Sequence, residues 1–371
     1  MESRRSDSME RMFVDVNVIQ TMPPNCANRD DTGSPKTCMY GGVRRARVSS
    51  QSWKRATREY FHGRVDESLL SVRTTKIVRM VADRIVESDP AKSDDEAMSM
   101  AAGVLEKAGV KVKAKKGKKD DAEGAPEAQA LFFMSYQQSK NLADLALRGD
   151  YDKKAVEEAL NKGHGIDIAL FGRMVADNPL LNADASAQVA HAISTHRVDN
   201  EYDYFTAVDE MSPEDNAGAG MIGTVEFNSS TLYRYATVAV HDLARQLDDP
   251  EVVSMAVAEF VHAFIMSMPT GKQNTFANRS VPYAVYIAIR ADQPVSLAPA
   301  FESPVMPERG AGGYNAASAS AMSECELKYR ADFIDDPVES WQVGSGLDGL
   351  GPSSDLGTAI EQLKKRIAEG L

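Results

Sequence analysis

Cysteine is scarce in this chain, and long apolar runs are missing from it. Only three cysteines occur among 371 residues, and none has the spacing of a zinc site or a Cys-x-x-Cys motif. An odd number of widely spaced cysteines favours a reducing compartment, so a cytoplasmic location is expected. The most apolar stretch, residues 252–268, is interrupted by Glu259 and His262. The first residues lack the apolar core of a signal peptide, and no membrane segment is expected.

Positive charge is also in short supply overall, but it is concentrated in one place. The chain has 42 lysines and arginines against 54 acidic residues, a net charge of -12. Between residues 36 and 58, however, there are seven basic residues and no acidic one. Two glycines and a Ser-Ser helix cap in the same stretch favour close approach of backbone amides, which is typical of a phosphate-binding surface. The basic residues are Lys36, Arg44, Arg45, Arg47, Lys54, Arg55 and Arg58.

Hydrophobic periodicity predicts a mixed α+β fold. Alternating apolar residues predict strands at residues 12–21, 165–171, 231–240 and 281–289. Helical spacing predicts one helix that begins at Ser49 or Ser50 and another that begins after Asp249, with Pro250 in its first turn. The resulting order, β-α-β-β-α-β, is typical of the ferredoxin-like fold of RNA-recognition domains.

Two inserts interrupt this order. The first, from residue 63 to about 160, is expected to be helical at residues 75–86, 96–107 and 152–160, and it includes a lysine-rich stretch with the composition of a solvated loop. The second, residues 184–229, has an acidic, glycine-rich middle and is expected to project as a loop or ribbon. Residues 355–371 predict a short amphipathic C-terminal helix.

Several other motifs have two possible interpretations. Asp30 and Asp31 lie in a turn-like sequence, where carboxylates order loops, but carboxylates beside an RNA could also hold magnesium or act on a 2'-hydroxyl. The loop that contains Lys272 is either a solvated turn or a second contact to an RNA backbone. The six histidines show no metal-ligand spacing and are expected to be ordinary residues.

A set of ordered motifs resembles the CasC family, the backbone subunits of the type I-E CRISPR surveillance complex Cascade. The strongest matches are residues 28–33 (NRDDTG) and 40–55 (YGGVRRARVSSQSWKR). Further matches are residues 165–170 (GIDIAL) with 172–174 (GRM), 195–196 (TH) with 203–209 (DYFTAVD), 223–224 (GT) with 226–227 (EF), and 272–273 (KQ). They occur in family order and span residues 13 to about 290.

The resemblance implies a ferredoxin-like, RNA-recognition-like βαββαβ palm with a helical fingers insert and a projecting thumb loop. The palm would comprise residues 10–62, 163–184 and 230–371, the fingers residues 63–162, and the thumb residues 185–229. Family members polymerise on CRISPR guide RNA, and the thumb of one copy reaches over the RNA bound by its neighbour. Apolar thumb and palm residues fill the gap beside a flipped nucleotide.

The resemblance also implies a set of RNA-binding residues, with guide RNA, neighbouring copies, other Cascade subunits and, through the guide, target DNA as partners. No catalytic residue, metal or cofactor is expected. The strands lack the aromatic signature of ordinary RNA-recognition domains, so backbone contacts are expected instead of base stacking. The implied RNA-binding residues are Asn28, Arg29, Lys36, Arg44, Arg45, Arg47, Ser49, Ser50, Gln51, Lys54, Arg55, Arg58, Met174, Phe205, Thr206, Ile222, Lys272, Gln273 and Asn274.

Two enzymatic alternatives remain open at this point. The first is a metal-dependent ribonuclease that cuts target RNA with Asp30 or Asp31, as related type III backbone subunits do. The second is a nucleotide-binding enzyme in which Gly41 and Gly42 form a phosphate loop. The non-catalytic RNA-binding subunit is the leading expectation.

Overall fold

The computed structural model describes residues 11–113, 126–149, 151–175, 177–207, 221–307 and 312–371. The chain divides into two compact units. The first comprises Met1–Tyr60, Val189–Thr237 and Phe260–Arg366, and the second comprises Phe61–Gln188, Val238–Glu259 and Ile367–Leu371. Most of the lysine-rich stretch and the middle of the second insert lie outside the described residues.

The strands and helices alternate irregularly along the chain. The strands are β1 (Phe13–Asn25), β2 (Thr37–Tyr40), β3 (Val43–Val48), β4 (Ser71–Thr74), β5 (Val112–Lys113), β6 (Glu127–Ala128), β7 (Phe132–Ser135), β8 (Ala187–Val189), β9 (Ala192–Ser194), β10 (Glu201–Ala207), β11 (Met221–Ala239), β12 (Ala284–Arg290) and β13 (Glu339–Gly344). The helices are α1 (Ser50–Phe61), α2 (Ile77–Ser88), α3 (Asp94–Lys107), α4 (Tyr136–Arg148), α5 (Lys153–Asn161), α6 (Ile166–Phe171), α7 (Val240–Leu247), α8 (Pro250–Met266), α9 (Gln273–Phe276), α10 (Asn315–Asp332) and α11 (Leu356–Gly370).

The main sheet runs in the order β13-β12-β1-β11-β9-β3-β2, and β10 pairs with β11 beyond this path. The pairs β1–β12, β12–β13, β9–β11, β3–β9 and β2–β3 are antiparallel. Small two-stranded sheets, β4–β7 and β5–β6, lie in the second unit. The mixed α+β class predicted from the sequence is confirmed.

Most elements predicted from periodicity occur where they were expected. The strands at 12–21, 231–240 and 281–289 correspond to β1, the end of β11 and β12, and the two long helices correspond to α1 and α8. The predicted C-terminal helix corresponds to α11. Pro250 begins α8, where its missing N–H costs nothing. Among the described helices, none combines the length and apolar character that a membrane span requires.

One predicted strand is wrong. Residues 165–171 (GIDIALF) form the short helix α6, in which every residue from Ile166 to Leu170 is buried, including Asp167. Gly172, with φ +79°, ends it, and its N–H donates to the carbonyl of Ile168 (2.8 Å). A short apolar run that is buried on all sides has no polar face from which its period can be read. Residues 192–194 (β9), and not residues 165–171, pair with the end of β11.

Both faces of the main sheet are covered by the first unit itself. On one face, Tyr233 and Tyr286 pack with Met322 of α10 in a buried cluster. On the other face, Leu232 of β11 packs with Trp53 of α1. The tyrosines at the centre of this sheet, Tyr233 and Tyr286, are therefore not accessible to a nucleic-acid base.

A buried cation joins the sheet to two helices. Arg234 of β11 is 1% exposed, and its guanidinium carbon lies 3.8 Å from the ring centroid of Trp53 and 4.7 Å from that of Phe264. It donates to the side chain of Gln20 and to the carbonyls of Phe264 and Ile265 in the last turn of α8. Burial lowers the pKa of Arg234 to about 9, which leaves it charged at neutral pH. A cation at a helix C-terminus is favoured by the helix dipole.

A second buried network holds α10 onto the opposite face. Arg290 of β12 donates to Asp15 of β1 (2.9 Å) and to Glu326 of α10 (2.7 Å), and Arg330 donates to Glu326 (2.9 Å). Tyr286 donates to the same carboxylate (2.9 Å). Because removal of one partner would leave a buried charge uncompensated, these pairs fix the position of α10.

The second unit contains a helical core of its own. Helices α2, α3, α4 and α5 share one buried cluster, which includes Val81, Leu105, Leu142 and Leu160. Three of these helices were predicted; α4, which begins at a capping box formed by Ser135 and Gln138, was not. The prediction that this insert is helical is confirmed.

His164 of this unit generates a testable prediction. Its Nδ1 lies 3.1 Å from the amide nitrogen of Gln138, and burial together with nearby Arg173 lowers its pKa from 6.5 to about 4. The folded protein therefore keeps His164 neutral, whereas the unfolded chain takes up a proton below pH 6.5. The free energy of unfolding should fall between pH 6.5 and 4, with a slope from this residue of about 1.4 kcal/mol per pH unit.

Urea unfolding at pH 7 and pH 5 measures this dependence. His164→Asn is the control, because its Oδ1 keeps an acceptor near Gln138 but does not titrate in this range. The pH dependence of the variant should be weaker than that of the original protein. Equal pH dependence in the two proteins would contradict the assignment.

Candidate nucleic-acid interface

The N-terminus of α1 is held by side chains from other segments of the first unit. The main-chain N–H of Ser49 donates to Oδ1 of Asn28 (2.9 Å), and that of Ser50 lies 3.3 Å from Nδ1 of His191. The N–H of Ser52 is 3.4 Å from Oγ of Ser49. These contacts satisfy amides that a helix N-terminus leaves without partners. Asn28 and Ser49 therefore position the helix, while Ser50 and Gln51 remain at its accessible end.

The turn predicted around Asp30 is an ordered loop. Oδ1 of Asp30 accepts from the N–H and Oγ1 of Thr32 (2.9 and 2.7 Å) and from the N–H of Ser34 (3.0 Å). The Thr32 hydroxyl, followed by main-chain donors, lowers the pKa of Asp30. Asp31 is exposed beside it. Among the described residues, no group of three or more His, Cys, Asp or Glu side chains is arranged to hold a metal ion.

This loop brings Arg29 and Lys36 next to the β2–β3 hairpin. The N–H of Lys36 donates to the carbonyl of Asn28 (2.8 Å), and the N–H of Arg47 donates to the carbonyl of Lys36 (2.9 Å). Arg29 is exposed, and Lys36 and Arg47 are half-buried. Arg44 is exposed on β3. Four predicted cations are thus carried by a loop and a hairpin that hydrogen bonds join.

Helix α1 adds a row of polar residues beyond its capped end. Gln51, Lys54, Arg55 and Arg58 recur at helical spacing opposite the buried Trp53. Burial lowers the pKa of the Lys54 ammonium. Arg55 differs from its neighbours, because its Nε lies 2.7 Å from Glu59 one turn later. Lys54 is therefore the better-placed cation of this pair.

The loop containing Lys272 packs against the same segment. A side chain at Gly271 would bring its Cβ within 2.1 Å of the carbonyl oxygen of Ala27, so glycine permits this close approach. Lys272 has φ +53°, and α9 starts with Gln273. Lys272 therefore lies on a segment in contact with the first loop, and the second contact to an RNA backbone stays a prediction.

We refer to Arg29, Lys36, Arg44, Arg47, Lys54 and Lys272 as the cationic surface. Each is exposed or half-buried. None forms an ion pair with a carboxylate in the described residues. They lie on the loops, the hairpin and the helix that adjoin the capped end of α1, and a concentration of positive charge of this kind suits phosphate groups.

The second insert forms an antiparallel ribbon from β10 and the start of β11. Phe205 pairs with Gly223 and Thr206 pairs with Ile222. A Cβ at Gly223 would lie 2.4 Å from the tip of the Phe205 ring, so the ring lies across the space that the glycine leaves. Because neighbours in a strand alternate between faces, Phe205 and Ile222 belong to opposite faces. They are 37% and 61% exposed.

The base of the ribbon is tied to the contact loops. The rings of Phe227 in β11 and Phe276 in α9 lie 5.7 Å apart. Asn228 donates to Asn200 (3.0 Å), and Asn25, at the end of β1, donates to the carbonyl of Asn228 (3.2 Å). Within the predicted thumb, residues 201–207 and 221–227 thus form a ribbon, while residues 208–220 lie outside the described part of the chain.

Arg45 is placed differently from the other predicted contacts. Its side chain is 0% exposed, and its guanidinium donates to the carbonyls of Tyr40 (3.2 Å), Ser194 (3.1 Å) and Phe301 (2.8 Å). It is not accessible to a nucleic acid in this structure. Arg45 therefore holds the hairpin in place, and the prediction that it contacts RNA directly is corrected to a positioning role.

Gly41 and Gly42 form the two-residue turn of the β2–β3 hairpin. Both have positive φ, +57° and +77°, as a type I′ turn requires. A Cβ at Gly41 would lie 1.6 Å from the carbonyl oxygen of Glu302. The need for glycine here is therefore explained by the turn and by close packing, without a bound phosphate.

Met174 lies in the second unit and is 86% exposed. The preceding Arg173 is buried and donates to the carbonyls of Leu181 (2.8 Å) and Leu160 (3.0 Å). Arg173 also exchanges two main-chain hydrogen bonds of 2.9 Å with Ala183. Met174 is thus an exposed side chain on a firmly held backbone, and its role in filling a gap stays a prediction.

One residue of this site was missed. His191 was expected to be ordinary, but it contacts both Ser50 at the start of α1 and Arg47 of β3. No spacing in the sequence marks it, because its partners lie more than 140 positions away. Only the pairing of β9 with β3 and β11 brings it here.

The family model described as CT1975-like protein matches residues 14–367. The chain belongs to this family. A search of curated proteins finds no match for this CT1975-like chain.

Solved structures similar to the CT1975-like chain come from CRISPR complexes. One, described as a CRISPR RNA-guided surveillance complex, pre-nicking, is 33% identical with a TM-score of 0.81, over 97% of this chain and 100% of that chain. Another, described as a CRISPR RNA-guided surveillance complex, is 29% identical with a TM-score of 0.71, over 95% of this chain and 99% of that chain. The similarity covers both units and nearly all of the chain.

Two adjacent arginines of the CT1975-like chain should respond oppositely to the same substitution. Arg45→Glu places a carboxylate among buried carbonyls and should lower the free energy of unfolding by about 3–5 kcal/mol. Arg44→Glu changes an exposed side chain and should alter it by less than about 0.5 kcal/mol. Urea unfolding of the RNA-free proteins measures both values. Similar stabilities for the two variants would contradict the structural role of Arg45.

Proposed function

We propose that this chain is a non-catalytic CRISPR RNA-binding backbone subunit of a Cascade-type, type I-E surveillance complex. It polymerises along the guide RNA with other copies of itself and presents the guide for pairing with target DNA in antiviral defence. The observation that carries this proposal is the cationic surface, which an acidic protein concentrates around one capped helix. Similarity to chains of CRISPR RNA-guided surveillance complexes supports the choice of guide RNA as the ligand.

The main sheet with α1 and α8 is, in this proposal, the ferredoxin-like palm. The helical core of the second unit corresponds to the fingers, and the β10–β11 ribbon to the thumb. Phe205, Thr206 and Ile222 would contact RNA held by the neighbouring copy, and Met174 would line the gap beside a displaced nucleotide. Other Cascade subunits would cap the filament, and assembly would take place in the cytoplasm.

Recognition is proposed to be of the backbone and independent of guide sequence. Arginine and lysine bind phosphate without reading bases, and a guide must leave its bases free to pair. The sheet supports this assignment because its central tyrosines, Tyr233 and Tyr286, are buried against α10. Guides with different spacer sequences can then occupy the same surface.

Salt dependence tests the proposed phosphate contacts. If one subunit contacts about five phosphates, the slope of log K against log salt is about -3.5 for single-stranded RNA, and affinity falls roughly a hundredfold between 50 and 200 mM salt. Lys36→Gln with Arg44→Gln should make the slope shallower by about 1.4. Binding of a repeat-spacer transcript to the purified protein, followed by size exclusion, measures affinity and assembly.

Lys140→Gln with Lys162→Gln is the matched control. These two lysines are exposed in the second unit, outside the predicted contacts, and the substitution changes the net charge by the same amount. The control should bind RNA with an unaltered slope. Equal losses in the two double variants would mean that net charge, and not the cationic surface, determines binding.

The non-catalytic part of the proposal predicts that complementary RNA stays intact. The assembled complex is incubated with complementary RNA and magnesium, and the products are separated by size. No cleavage is expected, because the Asp30 carboxylate is engaged in ordering its own loop.

Asp30→Asn and Asp31→Asn distinguish the alternative. Asparagine at position 30 keeps the Oδ1 acceptor of the loop but removes the charge that a metal would need. Cleavage at regular spacing that either substitution abolishes would establish the ribonuclease and overturn the scaffold role. Intact RNA with the original protein and with both variants would agree with the non-catalytic scaffold role.

A further inference from the structure

Two hydrogen-bond donors converge on one nitrogen of an exposed histidine at the edge of the cationic surface. Nδ1 of His191 lies 3.3 Å from the main-chain nitrogen of Ser50 and 3.2 Å from Nη1 of Arg47. An amide N–H and a guanidinium can only donate, so Nδ1 must be the acceptor. In the neutral ring the proton is then on Nε2.

The surroundings keep the ring neutral. Burial, then the charges of Arg47 and Lys36, lowers the pKa of His191 below its usual value of 6.5. The facing groups are Arg47 from β3, Lys36 from the preceding loop and the amide end of α1. Protonation would place a second N–H against the Ser50 and Arg47 donors. At pH 7 His191 is therefore a neutral side chain with one fixed tautomer.

That tautomer leaves one donor free. Nε2 of His191 makes no hydrogen bond to the described part of the chain, and the residue is exposed. An N–H donor beside Lys36 and Arg47 suits an oxyanion, since the cations attract the charge and the donor sets its position.

We propose that His191 is a direct contact to the guide RNA, in which its Nε2–H donates to a phosphate oxygen. This inference rests on the proposed function, because it places the guide backbone on the cationic surface. His191 also acts on its other side, where Nδ1 holds the Ser50 amide and the Arg47 guanidinium in position. A neutral contact adds affinity without releasing a counterion, which distinguishes it from lysine and arginine contacts.

Two substitutions separate the two sides of the ring. His191→Asn places an oxygen near the position of Nδ1 and keeps the acceptor, but it lacks a group at the position of Nε2. His191→Gln extends an amide to the position of Nε2 and loses the acceptor. The RNA-free variants are compared by thermal unfolding, and their RNA affinities are measured between 50 and 200 mM salt.

The neutral contact predicts a specific pattern. His191→Asn should fold with unchanged stability and bind a repeat-spacer transcript roughly three- to tenfold more weakly at every salt concentration. Its slope of log K against log salt should equal that of the original protein. His191→Gln should be less stable but retain more RNA affinity than His191→Asn.

Several outcomes would overturn the inference. Unchanged affinity in His191→Asn would show that Nε2 contacts nothing, and a slope shallower by about 0.7 would show that the histidine binds as a cation. The same proteins are also measured on a 2'-deoxy oligonucleotide of identical sequence. An equal loss on both strands agrees with a phosphate contact, whereas a loss on RNA alone would assign Nε2 to a 2'-hydroxyl.

The Lys36→Gln, Arg44→Gln protein separates this inference from the proposed function. If that variant loses RNA while His191→Asn does not, the function stands and the His191 contact is wrong. If the original protein binds no RNA, the proposed function and the inference that rests on it both fail.

Discussion

A single buried cation, Arg234, connects the elements from which the candidate site is built. It stacks on Trp53 of α1, which carries Lys54 and the capped N-terminus, and it holds the last carbonyls of α8, after which the chain enters the loop with Lys272. It also lies on β11, the strand whose first half forms the ribbon. A buried charge without a carboxylate is costly unless its donors find acceptors and its faces find aromatic rings. Because those acceptors and rings come from separate segments, that requirement sets their relative positions.

Much of the fold follows from local pattern. The alternation in β1, the Ser49 cap and the Asp249-Pro250 start of α8 are short-range signals, and each predicts its element correctly. The strand predicted at residues 165–171 is wrong, because burial on all sides removes the contrast between polar and apolar faces from which a period is recognised. The sequence is compatible with the β2–β3 hairpin, because Gly41 and Gly42 suit a two-residue turn. The same two glycines also suit a phosphate loop, so the sequence does not decide between the two structures. The observed pairing of β2 with β3 identifies the glycines as a hairpin turn.

The site is less predictable than the fold because accessibility is a tertiary property. Arg44 and Arg45 are identical in type and adjacent, yet one is exposed and the other is enclosed by the carbonyls of three segments. The same contrast separates buried Arg173 from exposed Met174. Each of these motifs contains one buried residue that holds the backbone and one exposed residue. The resemblance of the whole motif to a family does not indicate which of the two residues contacts the ligand. His191 shows the reverse case, in which a residue without a motif is brought to the site by strand pairing alone.

The ribbon and the cationic surface contribute differently to any nucleic-acid complex. The paired residues of the ribbon, 201–207 and 221–227, include three acidic residues, Glu201, Asp203 and Glu226, and no basic one, so the ribbon repels phosphate and cannot supply electrostatic affinity. What it offers is apolar surface, with Phe205 supported by Gly223 on one face and Ile222 on the other. Because Phe205 and Ile222 lie on opposite faces of the ribbon, both side chains can fill one gap between nucleotides only if the ribbon enters that gap edge-on. In the proposed complex, the attraction therefore resides in the cationic surface, and the ribbon can only add shape to an RNA that is already held.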